Sequence, residues 1–315
     1  GPLGKAEPRL PARGTGRLRG EAPAAPVSLI LLASYPKSGN TWMRALLSNY
    51  LAADKAPVPI NRLVAAPVQQ RHAFDEHLGL SSSIMTTDEI MRHMPRYFAS
   101  HLPAGDPAVF IKVHSVFSRL PDGAPLFSSA TFSGAVCIVR NPLDVAVSYA
   151  HHLQSSVDHA ISVMGNPEAY LTPDGRRRRR IHPNLPERVS DWSRNIASWL
   201  DQDELPVRLV SYEQMHASPA ACLETVVGFA GLQSEPARLA RAADNARFEN
   251  LRRQEELEGF REKQPTSPSF FRKGRIGDWR DALSRQQVRL LAERHGPVMA
   301  RLGYLDEAER FLAEG

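Results

Sequence analysis

Four short apolar runs punctuate the chain, and helical spacing follows them. Residues 27–34 (VSLILLAS) are almost wholly apolar and rich in Leu and β-branched side chains, the pattern of a strand covered on both faces. Residues 109–113, 135–139 and 207–210 have the same character and read as buried parallel strands. A helix is predicted over 41–51, where Trp42, Ala45, Leu46, Asn49 and Tyr50 recur at helical spacing. Asn141 followed by Pro142 reads as an N-cap with proline at the first helical position. Further amphipathic helices are predicted over 191–200 and 284–302. Strand, loop and helix in alternation predict an α/β fold, a parallel β-sheet flanked by helices on both faces. Such sheets take ligands at the carboxyl ends of their strands, and the chemically distinctive residues of this chain fall there.

Elsewhere the pattern fades. Residues 1–4 (GPLG) read as the scar of a cleaved tag, and the stretch to residue 26, rich in Pro, Ala, Gly and Arg, reads as a flexible arm. The chain from 27 to 315 has no second composition break and reads as one domain. Between 152 and 186 the periodicity dissolves into Gly, Pro, Asp and Arg, which predicts a lid or an insertion.

Composition adds modest constraints. No apolar run approaches the ~20 residues that cross a bilayer, so no membrane role is expected. Cys137 and Cys222 sit in apolar runs and read as buried free thiols, which suits a reducing, cytoplasmic setting. The formal charge of +5 is compatible with an anionic ligand without demanding one. The arginine run 176–180 has no interleaved aromatics and reads as a solvated loop rather than a nucleic-acid site.

Three segments carry chemistry. Residues 33–42 (ASYPKSGNTW) follow the first strand and open a helix. Backbone N–H groups at a helix N-terminus, the charge of Lys37, and the hydroxyls of Ser38 and Thr41 make a cradle for a phosphate or phosphosulfate. It is P-loop-like in place but not a Walker A loop, because Lys37 precedes Gly39. Residues 138–152 repeat the arrangement with Arg140 at a strand end and Ser148 two turns into the next helix, suited to a second phosphate. A salt bridge from Arg140 to Asp144 is the competing use of that guanidinium. Residues 269–280 (SFFRKGRIGDWR) form a glycine-punctuated basic loop containing Arg272, Lys273 and Gly274.

In this order and spacing the three segments resemble the PAPS-dependent sulfotransferases of the cytosolic type, over nearly all of 27–304. The resemblance implies that Lys37 contacts the leaving phosphosulfate, with Ser38, Gly39, Asn40 and Thr41 lining the cradle. It implies that Arg140 and Ser148 hold the 3′-phosphate together with Arg272, Lys273 and Gly274. Trp42, Tyr212 and Phe248 resemble the family's adenine-side aromatics. Residues 110–114 (FIKVH) resemble the strand end on which His114 is the general base and Lys112 assists charge stabilisation. No metal is implied, PAPS is the donor and PAP the product.

The acceptor expected is a hydroxyl or similar nucleophile of a small molecule, free or carrier-bound, such as a biosynthetic intermediate. The segment 155–186 is expected beside it. Two departures stand out: Asn40 replaces a common threonine, and the family's dimer motif, which would fall on Arg280, Ser284, Arg285 and Arg289, is not preserved. The usual dimer is therefore not assumed, and the chain could be one domain of a larger enzyme. A P-loop kinase would need a Walker A order and acidic magnesium ligands. A non-catalytic polyanion binder would need neither a base nor a cradle.

Overall fold

A computed structural model describes residues 28–65, 69–101, 108–171, 183–264 and 267–314. Four parallel strands, β1 (Ser28–Ser34), β2 (Ala108–Val113), β3 (Gly134–Val139) and β4 (Val207–Ser211), form one sheet in the order β2-β1-β3-β4. Ahead of β2 lie α1 (Asn40–Leu51), α2 (Arg71–Leu78) and α3 (Thr87–His101). Between β3 and β4 come α4 (Pro142–Leu153), α5 (Val157–Met164) and α6 (Trp192–Leu200). Beyond β4 the chain forms α7 (Tyr212–Ala217), α8 (Pro219–Phe229), α9 (Pro236–Asn245) and α10 (Phe248–Glu258). A single turn, α11 (Trp279–Ala282), then leads to α12 (Arg285–Leu302) and α13 (Leu305–Ala313).

Strand side chains alternate between faces, and across β1 to β3 both faces carry buried apolar side chains. Leu31, Ala33, Ile111, Val113, Ala135, Cys137 and Val139 join Trp192 and Trp199 of α6 and Leu291 of α12 in one core. Ile30, Leu32, Phe110, Val136 and Ile138 join Leu46 and Leu47 of α1 and Leu223 and Val226 of α8 in the other. That is why 27–34 reads as an uninterrupted apolar run. Because β1 and β3 are neighbours whose following helices, α1 and α4, pack on opposite faces, a crevice opens between their carboxyl ends.

The predicted α/β fold is therefore the observed one, and the predicted cap holds: Asn141 accepts a hydrogen bond from the Leu143 amide with Pro142 at the helix start. The structure adds a second cap, Ser284 at the start of α12. Three expectations need correction. β4 is not covered on both faces: it pairs only with β3 among the described residues, and Arg208 and Leu209 are exposed. Cys222 is half-buried, whereas Cys137 is buried.

The third concerns 155–186, which is not structureless as far as residue 171. Ser156 caps α5, and Ala160, Ile161 and Met164 are buried against the core. Further on, the Leu185 amide donates to the Gln69 carbonyl at 2.7 Å and Pro183 accepts from Arg71 at 2.9 Å. A helix this short shows too few apolar repeats to stand out between its Ser, Gly and Asn flanks. The arginine run 176–180 and the arm 1–26 lie outside the described residues.

The positions of the missing dimer motif serve contacts within the chain. Arg280 pairs with Glu307 at 2.6 Å, and Arg285 donates to the Phe311 and Leu312 carbonyls, so both pin α13. Arg289 is exposed.

Candidate active site

The turn after β1 is shaped by its backbone. Gly39 has φ of 102°, and a Cβ there would lie 2.7 Å from the Tyr212 ring, so only glycine lets the turn close on that ring. Lys37 also takes the left-handed conformation, with φ of 69°. Its Nζ stands 4.1 Å from the centre of the Phe270 ring. Burial, with Arg140 and Lys112 nearby, pulls the Lys37 ammonium down to about 7. A cation so destabilised gains most from an arriving anion. Ser38 Oγ is buried and has no hydrogen-bond partner among the described residues, a donor suited to a phosphosulfate oxygen. Thr41 is nearly buried in the first turn of α1.

The Asn40 side chain is not a cradle group. Its amide donates to the Leu32 carbonyl at 2.9 Å and to Ser34 Oγ at 3.1 Å, tying α1 to the end of β1. Only its backbone N–H remains for the role the resemblance implied.

At the end of β3, Arg140 is nearly buried and bridges two loops, donating to the Lys37 carbonyl at 3.3 Å and the Arg275 carbonyl at 3.0 Å. Its guanidinium lies 4.1 Å from the Tyr212 ring centre, and its Nε is buried with no hydrogen-bond partner among the described residues. No salt bridge to Asp144 forms. Asp144 accepts instead from the Gly277 and Trp279 amides at 2.8 and 3.2 Å, anchoring the 272–279 loop beside the arginine. Burial raises the Asp144 carboxyl, and Arg140 and these amides oppose that rise.

Gly274 has φ of +62°, and a Cβ there would meet the Phe248 ring at 2.4 Å. Phe248 therefore props the basic loop by its backbone. Arg272 and Lys273 both pair with Asp278, at 2.5 and 2.6 Å. Ser148 is half-buried on α4. Trp42 lies 5.5 Å from Tyr212, centre to centre and near edge-on, and its Nε1 donates to the Ala246 carbonyl at 2.9 Å. The structure thus joins Lys37, Arg140, Tyr212, Trp42 and the 272–274 loop around one crevice.

His114 ends β2. Its Nδ1 is 2.8 Å from the Ser34 carbonyl, so Nδ1 carries the proton, and no described residue bonds its Nε2. Burial first, then the charge of Lys112, drops the imidazole to about 3. It is held neutral, with its Nε2 lone pair free to take a proton. Lys112 does not stand free: its Nζ lies 2.8 Å from Glu262. His151 is 2.9 Å from the Ser269 carbonyl through Nε2, while His152 stacks on Tyr149 and is lowered to about 4 by burial, then Lys37 and Lys112.

Two carboxylates of this site escape sequence reasoning. Glu187 Oε1 accepts from the backbone N–H of His114 at 2.5 Å and of Ser115 at 2.9 Å, fixing the strand end that carries the histidine. Asn195 of α6 donates to the His114 carbonyl at 2.9 Å. Glu262 joins Lys112 to Arg44 of α1. Both glutamates lie in stretches without periodicity or motif, so no local signal marks them.

With this geometry in hand, comparison with known proteins is direct. The family described as "Sulfotransferase domain" matches residues 28–303. Cytosolic sulfotransferase 13 of Arabidopsis thaliana is 26% identical over 263 residues, covering 81% of this chain and 72% of that protein. Sulfotransferase 6B1 of Homo sapiens is 24% identical, covering 86% and 76%. Among solved structures, a mouse sulfotransferase complexed with PAP superposes with a TM-score of 0.55 at 17% identity, covering 90% of this chain and 88% of that one. Retinol dehydratase in complex with retinol and PAP gives 0.54 at 16% identity, covering 86% and 81%. The structural likenesses establish a shared fold, the sequence match extends from β1 to the end of α12, and the chain belongs to the sulfotransferase domain family.

Proposed function

We propose that this sulfotransferase takes PAPS as donor and passes its sulfuryl group to a hydroxyl of a small-molecule acceptor, free or carrier-bound, with His114 as base. One observation supports this most. The carboxyl ends of β1, β2 and β3 bring together a destabilised lysine, a neutral histidine with Nε2 unbonded, and a nearly buried arginine. The orphaned Ser38 Oγ and Arg140 Nε fit a ligand carrying phosphate and sulfate oxygens.

Lys37 would neutralise the phosphosulfate, while Arg140, Ser148, Arg272, Lys273 and the Gly274 backbone would hold the 3′-phosphate. Trp42, Tyr212 and Phe248 would flank the adenine. His114 Nε2 takes the acceptor proton as the acceptor oxygen bonds to sulfur. The bond from sulfur to the bridging oxygen breaks, and its electron pair leaves on the phosphate of PAP beside Lys37. Such an in-line displacement depends on positioning and fixed positive charge more than on covalent help. The imidazole is neutral near pH 7 and so able to accept a proton, and the anionic donor bound beside it would raise its proton affinity above the unliganded value of about 3.

Calorimetric titration with PAP and with AMP tests the donor assignment. A charge-assisted hydrogen bond to the 3′-phosphate is worth about 1.5–3 kcal/mol, so AMP, which lacks that group, should bind on the order of tenfold to a hundredfold more weakly. Equal affinity for the two would remove the 3′-phosphate site from the reading.

A further inference from the structure

The ammonium of Lys112 occupies a crossroads. It is carried by β2 two residues before His114, on the same strand face. Its charge reaches Lys37 of the β1 turn, His152 of α4, Glu187 and His114 itself, altering the proton affinity of each. A long flexible lysine does not hold such a position unaided, since its stem has several freely turning bonds. The only ion pair of Lys112 among the described residues is with Glu262, at 2.8 Å.

Glu262 is itself clamped. Its other oxygen lies 2.7 Å from Nη1 of Arg44, which is buried in α1 and further fixed by Nε donating to the Val64 carbonyl at 2.8 Å. Arg44 lies on the helix whose first turn builds the cradle, so the chain Arg44–Glu262–Lys112 references the Lys112 ammonium to the donor loop. Both cations hold the Glu262 carboxyl at about 2 despite its burial, so the carboxylate stays ionised throughout the working pH range.

We infer that Glu262 is a positioning residue for sulfuryl transfer, holding Lys112 Nζ against the reacting centre from the rigid frame of Arg44. The inference rests on the proposed reading in which Lys112 assists charge stabilisation beside His114. It assigns Glu262 no contact with donor or acceptor. A merely structural role, pinning the loop after α10, would act on stability and leave the chemical step intact.

Steady-state kinetics with PAPS and a turned-over hydroxyl acceptor, together with PAP calorimetry and thermal melts, separate these roles. The variants are Glu262→Gln, Glu262→Asp, Lys112→Met and the double variant Glu262→Gln/Lys112→Met. Glu262→Gln should lower kcat roughly tenfold to a hundredfold, the factor for one charge-assisted hydrogen bond, with Kd for PAP within about twofold. Glu262→Asp keeps the charge and should recover most of that loss. It also serves as the probe if the glutamine variant fails to fold, in which case a kcat drop of a few-fold at an unchanged melting point is expected. The double variant should be no slower than Lys112→Met alone. Additive losses, or an unchanged kcat with only a lowered melting point, would overturn the positioning role. Wild-type kcat in Lys112→Met would instead fault the reading of Lys112 on which the inference stands, and near-normal turnover in His114→Ala would fault the proposed reaction itself, so the failures are distinguishable.

Discussion

The two sides of the crevice are built by different means. The side proposed for the donor is assembled from loops that each follow a strand or precede a helix, and its contacts run largely to backbone. Arg140 grips two carbonyls, Asp144 receives two amides, and Gly39 and Gly274 let the chain close on aromatic rings. On the side proposed for the acceptor, a short strand leads into His114, and side chains from far along the chain hold that stretch: Glu187, Asn195 and, through Lys112, Glu262. The first design is a local motif and the second a convergence. PAP affinity should therefore reside on the first side, while loss of the second should cost turnover and spare that affinity.

Replacing His114 with Ala makes the sharpest test of that division. Turnover should fall ~10²–10⁴-fold, the usual range of a general base, while PAP affinity stays near wild type. A folded His114→Ala protein with near-normal turnover would move the base elsewhere. His152 would be the next candidate, since His151 Nε2 already faces the Ser269 carbonyl.

On the donor side, Lys37 supplies a test by protons. Its folded-state value of about 7 means that the free protein at pH 8 carries it mostly neutral. Phosphate oxygens favour the ammonium, so PAP binding should take up a proton above pH 7, and affinity should fall by up to about tenfold per pH unit there. Calorimetry in buffers of differing ionisation enthalpy measures that uptake, and Lys37→Met should abolish it. No proton uptake at pH 8 would mean that Lys37 does not meet the bound anion.

Glu187→Ala probes the convergent support. Leaving the His114 and Ser115 amides without their acceptor should cost ~1–3 kcal/mol in stability. Turnover should drop with it, while PAP binding is spared. Weakened PAP binding with intact turnover would reverse the assignment of sides.

The smallest expected effect lies outside the crevice and calibrates the others. His295 is buried, hydrogen-bonded to Ser193 at 2.9 Å, and lowered to about 4, chiefly by burial. An unfolded histidine titrates near ~6.5 and so binds a proton first as the pH falls. The stability owed to His295 is whole above that value and is lost progressively as pH drops toward 4. His114 and His152 act in the same direction. Melting points recorded between pH 7.5 and 5 should decline, and less steeply in His295→Gln. An identical slope in both proteins would contradict the depressed value.

How much of this was readable in advance follows from the range of the interactions. The strands around 27–34 and 135–139 are legible because two-sided burial demands an unbroken apolar run, and the cap at Asn141 because its partners lie within a turn. Lys37, Ser38, Arg140 and the 272–274 loop are legible as motifs, since each gathers its backbone and charge within a few residues. The sequence alone therefore determined the α/β alternation, the donor-side loops and the family resemblance. Only the tertiary structure decided that Asn40 faces inward, that Asp144 serves the 272–279 loop rather than Arg140, that β4 is an outer strand, and that 155–171 packs. It alone brought Glu187 and Glu262 to His114 and Lys112, across 73 and 150 residues of chain. Such pairings leave no periodicity and no local spacing, because a carboxylate's partner is set by how the elements pack and not by its neighbours in sequence.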